Sequence, residues 1–352
     1  QEGRKARFPE VPLYTEKDAE ACYPLFQPVP YGRTIRLADG LEAVFHDAGH
    51  VLGSSSLILK ADRNGESRKI LFSGDVGRRN RPILRDPTLF HDADYIVVES
   101  TYGDRLHEDG DKIADELAEV INSTVANGGN IIVPSFALER SQEILYYMNE
   151  LLLQNRIPHI LVFFDSPMAV SITEIFDEHL DLFDKEAREI IRSGKSPFSF
   201  PGLTRVSTTD ESKAINRISG SIMIIAGSGM CNGGRIKHHL VSNISRKECT
   251  ILFVGYQAVG TLGRQIVDGA KIVRILGKKY RVKARIVQMN GFSAHADRDE
   301  LLSWLSSIKS QPRGVFVVHG EEGVAVSFAD TVGKKFGWKV SVPQYKDEVV
   351  LD

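Results

Sequence analysis

At 352 residues the chain is too long for one typical core and suggests two domains. Apolar residues at 42% and charged residues at 26% exclude a disordered or fibrous chain. The formal net charge of −2 excludes a global pull on polyanions, so a nucleic acid would need a local basic surface or a metal to hold it.

Cys22, Cys231 and Cys249 form no C-x-x-C pair and are odd in number, which argues for a reducing compartment. A cytoplasmic protein is expected. No apolar run reaches the roughly 18 residues of a membrane span, so no membrane partner is expected. The chain begins with Gln, and Gln1 to Arg7 lacks the apolar core of a signal peptide.

In chain order, the first 31 residues are punctuated by Pro9, Pro12, Pro24, Pro28 and Pro30, with a short helix starting at the Thr15 cap. Strands with hairpin turns at Asp39-Gly40 and Asn64-Gly65 fill Thr34 to Ser73. Asp111 to Ala126 is helical, with Ile113, Leu117, Val120 and Ile121 on one face, and the strand Ile131–Pro134 follows. A helix over Glu139–Gln154 precedes a fully buried strand, Ile160–Phe164. Ser171 to Ile191 reads as one helix, and Ser221–Ala226 and Cys249–Val254 as buried strands. Helix and strand alternate here, which describes a parallel α/β layer.

Four apolar runs end on a polar side chain with Gly or Ser beside it. They are Ala43–His46 leading to His50, Ile70–Phe72 leading to Asp75, Tyr95–Val98 leading to Glu99, and Val315–Val318 leading to His319. Strand ends are where α/β proteins build sites, so one rim should carry all four residues. Imidazole and carboxylate together are the donor mixture of catalytic zinc. Taken singly, each His is an ordinary polar residue after a strand, and Asp75 an Asx turn or helix cap. Residues 50, 75 and 99 precede the parallel block and 319 follows it, the order of a domain with an insertion.

Five segments carry a resemblance. Asp47-Ala48-Gly49-His50, Ser73-Gly74-Asp75-Val76-Gly77, Glu99-Ser100-Thr101-Tyr102-Gly103, Phe292-Ser293-Ala294-His295 and Val318-His319-Gly320 are similar, in order, to motifs of the metallo-β-lactamase superfamily. More closely they resemble its β-CASP branch, which includes the endonuclease of mRNA 3′-end processing and the J-type ribonucleases. The resemblance implies an α/β fold: an αββα sandwich, its first part missing, over 1–105, a β-CASP insert over 106–254, and a return to the sandwich, the RNA-metabolising part, over 255–352. It implies two zinc ions, with His50 a ligand of one, Asp75 bridging both and His319 a ligand of the other. Glu99 would orient a zinc-site His, and His295 would protonate the leaving oxygen. The partner would be single-stranded RNA, and a homodimer is left open.

Ser228 and Gly229 lie in a Gly-rich loop after a strand, a type of loop that can present N–H groups to phosphate or form a plain turn. In the resembled nucleases the matching loop lines the RNA channel. Ser166, Arg235 and Ser293 join it as expected RNA or phosphate contacts. The run from Arg274 to Arg285 reads as a solvated face or as a strip touching RNA backbone. The signature H-x-H-x-D-H, which supplies the family's remaining zinc ligands, is absent from this sequence and would lie before Gln1, so only a partial metal site is expected. The resulting expectation is a zinc-dependent ribonuclease, with a hint of endonuclease action. An inactive RNA-binding subunit and a DNA nuclease of the same fold are the alternatives, and His319 argues for RNA.

Overall fold

The computed structural model describes residues 13–107 and 112–352. Pro9, Pro12 and the Asp111 helix start lie outside the described residues. Thr15 caps α1 (Glu16–Cys22) in a capping box with Asp18. Four antiparallel strands follow: β1 (Thr34–Ala38), β2 (Leu41–Asp47), β3 (Ser55–Arg63) and β4 (Glu66–Phe72). Asn64 and Gly65 both have positive φ, the requirement of the tight turn that reverses β3 into β4. β5 (Tyr95–Val98) then pairs parallel to β4.

The chain next builds a second sheet. α2 (Ile113–Ala126), β6 (Ile131–Pro134), α3 (Arg140–Leu153), β7 (Leu161–Phe164), α4 (Pro167–Glu178), α5 (Lys185–Arg192), β8 (Leu203–Arg205), α6 (Thr209–Ile215), β9 (Ile222–Ala226), α7 (Ile236–Asn243) and β10 (Thr250–Phe253) succeed one another. After α8 (Leu262–Val267) come a hairpin, β11 (Ile272–Ile275) and β12 (Lys278–Arg281), and β13 (Arg285–Gln288). Then α9 (Arg298–Ser306), β14 (Gly314–Val317), α10 (Glu322–Phe336) and β15 (Val340–Ser341) return to the first sheet.

The first sheet runs β1-β2-β3-β4-β5-β14-β15, and the second, wholly parallel, runs β13-β10-β6-β9-β7-β8. This is the α/β architecture expected. Strand alternation divides the second core in two: Ile131, Val133 and Leu252 point to the α2 and α3 side, whereas Ile132, Ile251 and Phe253 point to α7 and α8. In the first domain Leu71, Ile96 and Val315 form one row across the sheet, packed against Leu305 of α9 and Phe328 of α10. On the sheet's other face Phe45, Leu57, Phe72, Val97 and Phe316 make a parallel row, and each is only partly buried.

Three expectations need correction. The helix foreseen from Ser171 to Ile191 is two helices, because Asp184 accepts from Ala187 N at 2.7 Å and caps a new start. Leu161, read as fully buried, is 46% exposed, since it opens β7 one residue before the pairing with β8 begins at Val162. The insert, expected to end at Val254, shares its sheet with a later strand: β13 pairs with β10 in register from Thr250↔Arg285 to Phe253↔Gln288. No helix among the described residues is long and apolar enough to cross a membrane.

Gly77 is where the loops of the first domain close on one another. Its N–H donates to Ala48 O at 2.8 Å, it bridges to His295, and a Cβ there would strike the Gly49 carbonyl. Gly77→Ala is therefore expected to cost about 1–3 kcal/mol through overpacking. Urea unfolding measures this, and an unchanged midpoint would contradict the close approach.

Candidate metal centre

Four strands of the first sheet, β2, β4, β5 and β14, end at the same rim. After β2, Asp47 Oδ1 accepts from Gly49 N at 2.9 Å and Ser54 Oγ accepts from His50 N at 3.1 Å, so the loop turns tightly and aims His50 inward. After β4, Gly74 with φ +58 reverses the chain and presents Asp75. After β14, His319 takes φ +49, its carbonyl accepts from Ser100 N at 3.2 Å, and its Nδ1 lies 3.1 Å from Thr101 Oγ1.

These turns bring four of the expected residues together: Asp75, Glu99, His295 and His319 offer donor atoms within 4.8 Å of one another. His50 stands at the edge of the group, its Nε2 3.8 Å from Asp75 Oδ2. On the other side of the same carboxylate, His319 Nδ1 is 3.3 Å from Asp75 Oδ1. The His295 ring centroid lies 4.3 Å from that of His50 and 5.8 Å from that of His319.

Glu99 is 1% exposed and fully engaged. Its carboxylate accepts from Val76 N at 2.7 Å and Thr101 N at 3.3 Å, and both oxygens lie 3.0 Å from His295 Nδ1. Burial works to raise its pKa, but these bonds, led by that from His295, outweigh burial and hold the carboxyl below its ordinary value. The same pair acts on His295, where burial lowers and Glu99 raises, with a net rise. The His50 imidazole is pushed down to about 3, first by burial and next by His295. A neutral imidazole is the form that binds a metal. Two imidazoles flanking a half-exposed carboxylate, with Glu99 occupied elsewhere, form a donor set suited to a borderline cation.

Ser293 is buried just ahead of His295. Ser166, Ser228, Gly229 and Arg235 lie instead at the carboxyl ends of β7 and β9 in the second sheet. Ser166 caps α4, accepting from Ala169 N at 3.4 Å. The Arg235 guanidinium is held by Asp165 at 2.6 Å, and Asp165 also meets His239 at 2.6 Å and Ser212 at 2.5 Å. His239 is thus structural, while its neighbour His238 is exposed. A cavity of about 330 Å³ lies between the domains, lined by Tyr102, Arg105, His107, Tyr256 and Asn290 among others. It adjoins the rim, since His107 Nε2 lies 3.0 Å from the His295 carbonyl.

A buried network locks the domains together, and its role was not foreseen. Leu52 N donates to Glu139 Oε2 at 3.3 Å, Arg140 binds Glu143 and the Phe292 carbonyl, Arg81 binds Glu143, and Arg78 Nη1 donates to Gly291 O at 2.8 Å. Glu139 holds φ +66, a backbone state costing a non-glycine residue roughly 1–3 kcal/mol. A conformation of that kind persists only where its surroundings fix it. The sequence held one weak signal, the Glu-Arg pair at the end of the turn 137–139 that follows the strand Ile131–Pro134.

Family models match most of this architecture. One described as the Beta-Casp domain covers residues 141–266, and one described as the Zn-dependent metallo-hydrolase RNA specificity domain covers 279–343. A ribonuclease of Thermus thermophilus is 37% identical over 340 residues, 97% of this chain and 76% of its own length. An RNase J-like protein of Methanocaldococcus jannaschii is 29% identical over 94% of this chain and 76% of its own. The transcription termination factor FttA of the same organism is 31% identical over 97% of this chain, which spans 54% of that protein. Fold and rim define a metallohydrolase of the metallo-β-lactamase type with an inserted domain. The chain belongs to the β-CASP family of RNA nucleases within that superfamily.

Glu139 yields a pH-dependent stability. Burial raises its carboxyl to about 7, against 4.5 ordinarily, with Arg140 opposing. Between those values the folded state holds the extra proton, so stability falls as pH rises from about 5 to 8, by on the order of 3 kcal/mol. Glu139→Gln keeps an acceptor for Leu52 N and should flatten this slope. Denaturant unfolding at both pH values reads it, and an identical slope in the variant would refute the assignment.

Proposed function

We propose that the protein is a zinc-dependent ribonuclease that hydrolyses phosphodiester bonds within single-stranded RNA, in RNA processing or decay. The observation that carries this reading is the Asp75 carboxylate set between the imidazoles of His50 and His319, with His295 beside them on a buried carboxylate. The family's RNA-cleaving relatives support the choice of substrate. Zinc is the cation that best suits this mixture of imidazole and carboxylate donors. His50, Asp75 and His319 would hold it. When bound, zinc supplies charge neutralisation at the phosphate and an ionised water at neutral pH.

The chain's own residues do the remaining work. Glu99 fixes the His295 tautomer and ring, a carboxylate–imidazole pairing that also favours the protonated ring. His295 is then placed to give a proton to the departing oxygen as the P–O bond breaks. RNA would pass between the domains, its bases against Tyr102 and Tyr256 and its phosphates near Ser293 and the loop of Ser228 and Gly229.

The test is zinc content and cleavage of labelled single-stranded RNA. Asp75→Ala should lower bound zinc and abolish cleavage, whereas Glu99→Gln should cost about 10–100-fold in rate. His295→Ala should slow cleavage of ordinary RNA and be rescued by a substrate whose leaving oxygen is replaced by sulfur, which needs no proton. RNA bound but never cleaved, with or without zinc, would overturn the nuclease reading in favour of a non-catalytic RNA-binding subunit.

A further inference from the structure

The hairpin of β11 and β12 carries charge that nothing in the fold uses. Between Asp268 and Asp297 there is no Asp or Glu, yet Lys271, Arg274, Lys278, Lys279, Arg281 and Lys283 are all exposed. None of the six forms an ion pair among the described residues. Elsewhere surface cations do find partners, as in Lys60–Asp62, Lys69–Asp92 and Arg264–Asp268. This imbalance occurs in a chain whose formal net charge is −2.

Register sharpens the point. Arg274 is paired directly across from Lys279, and Arg281 lies opposite Ile272. Like charges facing each other across two strands oppose pairing. The hairpin forms nevertheless, because its other face is anchored: Val273 is 2% exposed, Ile275 is 0% exposed, and Tyr280 packs with them on the second core. The outcome is a rigid two-stranded plate with Arg274, Lys279 and Arg281 on its outer side. Side chains two residues apart on one strand are spaced by about 6.6 Å, which suits successive charges of a polyanion.

Position gives this plate its use. β13 follows β12, forms an edge of the second sheet, and leads within a few residues to Ser293 and His295. Arg285, at the far end of β13 from the rim, is exposed and donates to Ser123 Oγ at 2.8 Å. Beyond the cavity lined by Arg264, Asp268, Gln288 and Asn290, the surface around this edge carries Lys271 and Lys283, and Arg285 lies on the edge strand itself.

We propose that the β11–β12 hairpin is a second RNA-binding surface that grips the phosphate backbone away from the catalytic rim, without sequence preference. It rests on the reading of the substrate as RNA and adds that long RNAs are held at two places. Phosphate contacts made by Arg and Lys position a nucleic acid and carry no base information.

The experiment is the salt dependence of binding to labelled single-stranded RNA, for the wild-type chain and for R274Q/K279Q/R281Q. The three side chains point to solvent, so the variant should keep the wild-type melting temperature. For a long RNA the log–log salt slope should shrink by about 2, at about 0.7 per lost contact, and affinity should fall on the order of 10- to 100-fold at moderate salt. Affinity for an oligonucleotide just long enough to fill the rim should not change. An unchanged slope while the wild type still binds RNA would overturn the hairpin proposal alone. Absence of any RNA binding by the wild type would overturn the substrate reading with it. Stronger hairpin-dependent binding to anionic vesicles than to RNA would likewise reject RNA as its partner.

Discussion

Glu99 is the charge on which the rim depends. A carboxylate taken out of water is costly unless donors surround it. Here the donors are Val76 N beside Asp75, Thr101 N next to the His319 turn, and His295 from the far end of the chain. Two segments distant in sequence are thereby tied to the one that carries Glu99. Their side chains cannot drift apart without leaving that charge unsatisfied.

Around this anchor the two domains divide the labour. The first sheet ends in turns that expose donor atoms, and the second ends in loops with capped helices and backbone N–H groups. Between them the Arg and Glu side chains of residues 78–81 and 139–143 add a polar lock to the apolar packing of Leu52, Ile83 and Leu84 on the second domain's core. A polar lock of this type is specific in direction, since each guanidinium must find its carbonyl or carboxylate.

Much of this was legible in the sequence. Alternation and turn chemistry located the hairpins, and the apolar runs located both buried sheets. The rim residues were readable because position after a strand marked His50, Asp75, Glu99 and His319, and the motifs added His295 to them. What escaped had physical causes. The break at Asp184 was hidden because apolar periodicity continues across it. β13 was hidden because Arg285-Ile286-Val287-Gln288 is short and preceded by cations, so nothing marked it as a partner of β10. Glu139 and Arg140 open a predicted helix, and only the three-dimensional packing shows them buried at 2% and 8% exposure. Arg235 was expected to face RNA, but its guanidinium is held by Asp165, a pairing that no local pattern announces.

β13 has a further consequence. It is a strand of the inserted sheet, yet the chain leaving it bears His295, and Ala296 N donates to Val76 O at 2.8 Å in the first domain. The insert is therefore not a cassette that could be cut out at its sequence ends and replaced. Excising it would remove the tether of the loop that completes the rim. For the same reason any change in the angle between the sheets would also displace His295.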